Sequence, residues 1–141
     1  MYLRQTQELT HAATMTILQG AIAKAKAIQV PQCIAVVDTG GNLLAFVRMD
    51  GAKVLSQLSA TQKAVTAASS RVPTGGVPAD VDMKLAHATG GILTNLKGGL
   101  PIEIDGQMVG AIGVGSGTGD QDVEVGLAGI AALKDALDRD R

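Results

Sequence analysis

The sequence has almost no aromatic residues, with one tyrosine, one phenylalanine and no tryptophan among its 141 residues. Nucleic-acid-binding proteins stack bases on such rings and attract phosphates with an excess of basic residues. Here 12 basic residues stand against 13 acidic ones, and the net charge is −1. The composition therefore predicts neither a nucleic-acid partner nor binding to an anionic membrane surface.

Cysteine is also scarce, and no long apolar segment is present. Cys33, the one cysteine, lies in the apolar run of residues 33–37, which predicts a small buried side chain rather than a reactive thiolate. No apolar run approaches the roughly 18 residues of a membrane span, and residues 1–8 lack the features of a signal peptide. We therefore expect a cytoplasmic protein without a membrane segment.

Small residues are what the chain has in excess, including 18 glycines. Small side chains let helices approach closely but fill little volume, so a monomer of this composition has a thin core. The length suits a single domain over residues 1–141. We expect a homo-oligomer in which helix faces are buried between subunits.

Periodicity, glycine and proline together assign the secondary structure. Helices are predicted over residues 7–28, 53–71, 80–89 and 121–138. Their expected N-caps are Thr6, Asp50, Asp80 and Asp120. Strands are predicted over residues 32–37, 43–48, 100–104 and 107–114, paired as two hairpins. The order α-β-β-α-α-β-β-α predicts an α+β fold in which helices pack on an antiparallel sheet.

The apolar stripe of each helix predicts its core face. For the second helix, that face is expected to consist of Val54, Leu58, Thr61, Val65 and Ala68.

The segment from Gly98 to Asp122 is the most specific part of the sequence. Asp105-Gly106 favours a type I′ turn between two strands, because that turn needs positive φ at both central positions. The glycines that follow, at positions 110, 113, 115, 117 and 119, fit neither the dinucleotide fingerprint nor the Walker pattern. They indicate a structural turn, with a ligand-facing loop of backbone amides as the alternative.

Three charged residues are candidates for chemistry. Lys63 lies among small residues, where a lysine serves as a base, binds an anion, or simply extends to solvent. Arg48 ends a strand, a position suited either to a ligand carboxylate or to an internal ion pair. Glu103 interrupts an apolar strand, so it either faces solvent or carries a proton.

The chain has two histidines, His11 and His87. Neither has a second metal-binding residue at the spacing of a structural zinc site. His11 lies at the start of the first helix, where it is either solvated or available as an axial ligand or general base.

Five motifs occur in a fixed order along the chain. They are Val36-Val37-Asp38 with Gly41, Arg48-Met49-Asp50-Gly51, Lys63-Ala64, Gly98-Gly99-Leu100-Pro101-Ile102, and Gly110-Ala111-Ile112-Gly113-Val114 with Asp122. Together, over roughly residues 6–138, they resemble the GlcG/HbpS-type haem-binding family, which includes the C-terminal domain of PduO-type corrinoid adenosyltransferases. One departure is the turn at Gly115-Ser116-Gly117, where the family tends to place serine directly after the valine.

The resemblance implies a profilin-like antiparallel sheet flanked by helices, dimers that build an octamer, and binding of haem or another tetrapyrrole. It implies His11 as the ligand of the haem iron, Arg48 beside a propionate, and Met49 or Met15 against the porphyrin. The other expected ligand-binding residues are Gly98, Gly99, Gly115 and Ser116.

Two other functions remain open at this point. One is a small cofactor-independent enzyme, a lyase, isomerase or hydrolase, that acts on a carboxylate-bearing catabolic metabolite with Lys63 and Glu103 as catalytic residues. The other is a ligand-free assembly or accessory protein.

Overall fold

The structure, a computed structural model that describes residues 1–141, contains four helices and one four-stranded sheet. The helices are α1 (His11–Ala27), α2 (Ser56–Ser70), α3 (Ala79–Ala88) and α4 (Gly119–Arg139). The strands are β1 (Cys33–Val37), β2 (Leu43–Arg48), β3 (Gly99–Ile104) and β4 (Gln107–Gly115). The predicted element order and the α+β class are confirmed. No helix has the length and apolarity needed to cross a membrane.

The sheet has the strand order β2-β1-β4-β3, and every neighbouring pair is antiparallel. Cys33 pairs with Gly115, whereas Val37 pairs with Ala111. We call the two ends of the sheet the Cys33 end and the Val37 end. The β3–β4 turn has φ of 51° at Asp105 and 79° at Gly106, as the predicted type I′ turn requires.

Helices α1 and α4 cover one face of the sheet and enclose the larger core. Ile17 and Ala21 of α1 meet Val125 and Leu133 of α4 over the aliphatic side chains of the sheet. The two helices pack closely because Gly20 has no side chain: a Cβ there would lie 2.4 Å from the Cβ of Ala132. α4 begins at the Cys33 end, whereas α1 begins at the Val37 end.

Helix α2 covers the other face with small side chains. Ala60, Ala64, Ala67 and Ala68 pack on the sheet, and a Cβ on Gly113 would lie 2.0 Å from the carbonyl oxygen of Ala60. The close fit of alanine against glycine decides which side of α2 faces inward.

The predicted core face of α2 is therefore wrong in two of its five members, Val54 and Leu58. Ala68 is buried, and Thr61 and Val65 are half-buried. Val54 and Leu58 are 62% and 60% exposed. The larger side chains were expected inside because apolar area normally determines the buried face, but here backbone proximity does so.

Helix starts differ from the predictions because another residue supplies the cap. Thr10, not Thr6, caps α1, and its hydroxyl accepts from the Ala13 amide at 3.1 Å. Thr118, not Asp120, caps α4. Gln121 completes a capping box there by accepting from the Thr118 amide at 2.9 Å.

The other two helices have no side-chain cap. α2 begins at Ser56 with Leu55 in the N-cap position, so Asp50 lies in the preceding turn rather than at a cap. Pro78 occupies the N-cap position of α3, and Asp80 lies in the first turn. Asp80 still favours the helix there, because a carboxylate in the first turn interacts well with the helix dipole.

Candidate functional site

A buried ion pair lies at the Cys33 end of the sheet. Lys63 of α2 and Asp122 of α4 approach within 3.0 Å, between Nζ and Oδ2, with side chains 5% and 3% exposed. The Lys63 ammonium also donates to the carbonyl oxygen of Val114 at 2.8 Å. The pair thus joins the helix layers on the two faces of the sheet, across the end of β4.

The second oxygen of Asp122 is held by neutral donors. Its Oδ1 accepts from the Gly117 amide at 3.0 Å. The side-chain amide of the fully buried Gln32 is assigned with its nitrogen towards Oδ1, 2.9 Å away, because the opposite orientation would face oxygen with oxygen. Burial raises the pKa of Asp122 above its ordinary 3.8, and Lys63, Gly117 and Gln32 act against that rise. The carboxylate is accordingly costly to bury without its partners.

Two glycines leave room for these contacts. Gly98 has a φ of +125°, and a Cβ there would lie 2.6 Å from the Val114 oxygen and 3.0 Å from Lys63 Nζ. A Cβ on Gly117 would lie 2.9 Å from Asp122 Oδ1. The glycine-rich segment therefore has a steric role around the ion pair.

A polar pocket of about 210 Å³ adjoins the pair. Leu96 is its single apolar lining residue. The other lining residues are Lys53, Ser56, Ser59, Lys63, Lys97, Ser116, Gly117, Gly119 and Asp122. Three lysines and three serines make this pocket suited to an oxyanion rather than to an apolar ring.

Ser116 shapes the wall of that pocket. Its φ of +91° is in the left-handed region, and its hydroxyl accepts from the Lys53 amide at 2.9 Å. Gly115 lies beneath it against α2, where a Cβ would lie 3.1 Å from the Ser59 hydroxyl oxygen. The altered turn therefore connects β4 to the segment that leads into α2.

The structure brings several predicted site residues together here. Lys63 is one half of the ion pair and also lines the pocket. Around them lie three of the predicted ligand-binding residues, Gly98, Gly115 and Ser116. Gly99 lies alongside, where a Cβ would be 2.3 Å from the backbone oxygen of Lys63.

Arg48 lies at the same end of the sheet but on the edge strand β2, where it pairs with Cys33 and is exposed. Burial raises the pKa of the Cys33 thiol above 9.0, and the charge of Arg48 opposes that rise. Met49 packs half-buried against the larger core. Neither Arg48 nor Met49 lines the polar pocket.

Glu103 lies far from Lys63. It is exposed on β3 towards the Val37 end, four residues beyond Gly99, which corresponds to about 13 Å along the strand. The structure thus does not bring the two predicted catalytic residues together within one chain.

His11 also lies at the Val37 end. It is the first residue of α1 and is exposed. An apolar groove of about 340 Å³ lies at the same end of α1 and is lined by Leu9, Ala13, Val109, Leu133 and Leu137 among others, but not by His11. α1 begins with His11 at the Val37 end, and its 17 residues span about 25 Å towards the Cys33 end, where Arg48 lies. His11 and Arg48 are therefore at opposite ends of the fold.

The sequence reasoning missed Asp122, Gln32, Lys53 and Lys97 as site residues. Asp122 did carry a signal. It stands three, four and seven positions before Val125, Gly126 and Gly129, which form the buried stripe of α4. A carboxylate in phase with a core face predicts a buried partner, which here is Lys63.

The fold is shared with haem-associated proteins of known structure. A double mutant of HbpS from Streptomyces reticuli matches with a TM-score of 0.82 and 33% identity, over 93% of this chain and 90% of that chain. The PduOC:heme complex matches with a TM-score of 0.82 and 26% identity, over 89% of this chain and 94% of that chain. The protein is therefore an α+β domain of the class found in HbpS and PduOC.

Sequence comparison identifies the family within that class. The family described as "Haem degrading protein HbpS-like" matches residues 9–131, and this chain belongs to it. Protein GlcG of Escherichia coli (strain K12) is 44% identical over 82 residues, which are 57% of this chain and 61% of GlcG. The match thus spans less than two thirds of that relative.

Proposed function

We propose that this protein binds haem or a related tetrapyrrole, with His11 as the ligand of the iron. The family description and the haem complex of PduOC support this proposal. The observation that favours it in this chain is an apolar groove between the start of α1 and the end of α4, at the same end of the fold as the exposed His11. An iron porphyrin needs an axial donor and an apolar surface for its ring, and this end of the fold offers an imidazole and an aliphatic groove.

In this proposal the groove residues contact one face of the ring. Leu9 and Ala13 flank His11 in sequence, and Leu133 and Leu137 of α4 form the opposite wall. A bound haem would supply an iron centre for redox or gas-ligand chemistry. Within one chain Arg48 and Met49 are remote from His11, so their proposed contacts with a propionate and the ring require a second copy.

Titration of the protein with haemin tests this function. We expect a shifted Soret band that saturates, and at least about tenfold weaker binding for His11→Ala, because that variant lacks the axial donor. His87→Ala is the matched control, since His87 is likewise exposed but lies on α3. Identical titrations of His11→Ala and the wild type would contradict the assignment of His11.

We also propose that the chain forms a homo-oligomer of dimers that build an octamer. Helix α3 has no buried residue, and its Met83 is 77% exposed. Leu55 and Leu58 at the start of α2 are 81% and 60% exposed, so large apolar side chains lack a cover within the chain. Light scattering is expected to give a mass several times 14.3 kDa, and a monomer would contradict the proposal.

The free, buried Cys33 fits a reducing cytoplasm.

A second candidate function is a cofactor-independent enzyme acting on a carboxylate-bearing metabolite. The specific observation in its favour is that the buried Lys63 lines a polar pocket. Glu103 lies at the other end of the sheet, so Lys63 is the proton carrier that such an enzyme would retain.

A further inference from the structure

The polar pocket at the Cys33 end is small and hydrophilic. Its volume is about 210 Å³, compared with about 340 Å³ for the apolar groove at the start of α1. Leu96 is the one apolar lining residue. This polar lining does not suit the apolar face of a porphyrin, whereas it suits an organic acid of two to four carbons.

The charges around the pocket favour a monoanion. Lys53, Lys63 and Lys97 line it, and Lys97 pairs with Asp120 at 3.2 Å while Lys63 pairs with Asp122. Lys53 makes no salt bridge. Three cations against two carboxylates leave one positive charge, which matches one carboxylate. The neighbouring Asp122 repels a doubly charged phosphate about twice as strongly as a carboxylate at the same distance.

Lys63 has a hydrogen-bond donor that the protein does not use. An ammonium group carries three N–H donors, and the chain offers acceptors for two of them, on Val114 and Asp122. The side chain is 95% removed from solvent, yet it lines the pocket. The remaining donor therefore lacks a protein partner at a place where a ligand oxygen would supply one.

Hydroxyl groups and helix ends add to this polarity. Ser56 and Ser59 lie in the first turn of α2 and line the pocket, as does Gly119 at the start of α4. The positive ends of both helix dipoles thus lie at the pocket. The serine hydroxyls can bond a second polar group on the ligand, such as a hydroxyl next to the carboxylate.

We propose that this pocket binds a small monocarboxylate, through Lys63 at its base and Lys53 and Lys97 at its rim. Within one chain this pocket is separate from the proposed haem site, because the two lie at opposite ends of the sheet. A failure of haem binding would therefore not contradict this proposal, nor would its failure contradict haem binding.

Titration of the ¹⁵N-labelled protein with lactate, lactamide and inorganic phosphate at neutral pH tests the ligand class. Lactate is expected to give saturable shifts of the Gly117 and Gly119 amides. Lactamide has the same shape without the charge and is expected to give none, and phosphate is expected to bind more weakly than lactate. Absence of saturable lactate shifts, equal shifts from lactamide, or tighter binding of phosphate would overturn the proposal.

Substitutions locate the ligand. Lys53→Gln is expected to weaken lactate binding about three- to fivefold, and Lys134→Gln, an exposed lysine on α4 remote from the pocket, is expected to leave it unchanged. The double variant Lys63→Met with Asp122→Asn avoids an unpaired buried charge, and we expect at least about tenfold weaker binding. Lactate affinity equal to the wild type in both pocket variants would overturn the proposal.

Haemin titration of the same proteins separates the two sites. Lys53→Gln is expected to give the wild-type Soret titration, and His11→Ala is expected to bind lactate like the wild type. Loss of lactate binding in His11→Ala would contradict a separate site at the Cys33 end.

Discussion

Replacement of Lys63 by methionine is expected to lower the free energy of unfolding by about 3 to 5 kcal/mol at neutral pH. Methionine retains the apolar stem of the lysine but removes the cation that lies 3.0 Å from Asp122. The Asp122 carboxylate is then left buried with two neutral donors, Gly117 and Gln32, and no opposite charge. Urea denaturation at pH 8 measures the loss.

The loss is expected to depend on pH in a defined direction. Without Lys63 the pKa of Asp122 rises further, because the cation that opposed the effect of burial is gone. Above pH 3.8 the folded variant then retains a proton that the unfolded chain releases, so its stability falls as the pH rises through that window. The deficit relative to wild type is therefore smaller near pH 4 than at pH 8.

A double variant provides the control for this prediction. Lys63→Met with Asp122→Asn keeps an acceptor for the Gly117 amide and removes both charges. It is expected to recover most of the lost stability and to show no excess loss between pH 4 and pH 8. If Lys63→Met lowered the free energy of unfolding by less than about 1 kcal/mol at pH 8, the claim that Asp122 depends on Lys63 as its one opposite charge would be contradicted.

Substitution of alanine for Gly113 is expected to cost at least about 3 kcal/mol. A Cβ at this position would lie 2.0 Å from the backbone oxygen of Ala60 and 2.5 Å from the backbone nitrogen of Ala64. These atoms belong to the α2 backbone and cannot rotate away as a side chain can. The whole helix must therefore move away from the sheet. Since Lys63 is on that helix, we also expect weaker lactate binding.

Gly76→Ala is the matched control for this substitution. A Cβ at Gly76 meets no heavy atom within 4 Å, and the residue has no positive φ. Its effect on the free energy of unfolding is expected to stay within about 0.5 kcal/mol. Equal stabilities of the Gly113 and Gly76 variants would contradict the close packing of α2 on β4.

Local sequence signals were sufficient for the order of the elements. Asp105-Gly106 predicts a type I′ turn because both residues can adopt the positive φ that this turn needs. The β-branched runs on either side show no helical periodicity, so they were predicted as strands. The start of α4 differs from the prediction because Thr118 forms a capping box with Gln121, which outweighs the better intrinsic capping of aspartate at Asp120. The inward side of α2 depends on Gly113, which lies on a strand 43 or more residues away in the sequence.

The candidate site was only partly predictable for a similar reason. Lys63 was predicted from the small residues around it in the sequence. Its partner Asp122 lies 59 positions away, so local sequence does not indicate that the two residues meet. Lys53 and Lys97 meet at the pocket only after α2 and the turn before β3 are placed. The family resemblance implied both His11 and Arg48 as haem contacts, and their separation follows from the length and direction of α1.

The position of iron in crystals of the haemin-loaded protein, determined from its anomalous scattering, tests most directly whether haem binds at the His11 end. We expect one iron site per chain adjacent to the His11 imidazole at the Val37 end, with Leu9 and Leu133 against the porphyrin. Iron beside Arg48 and the Lys63 pocket at the Cys33 end, with none at His11, would contradict the proposed haem site.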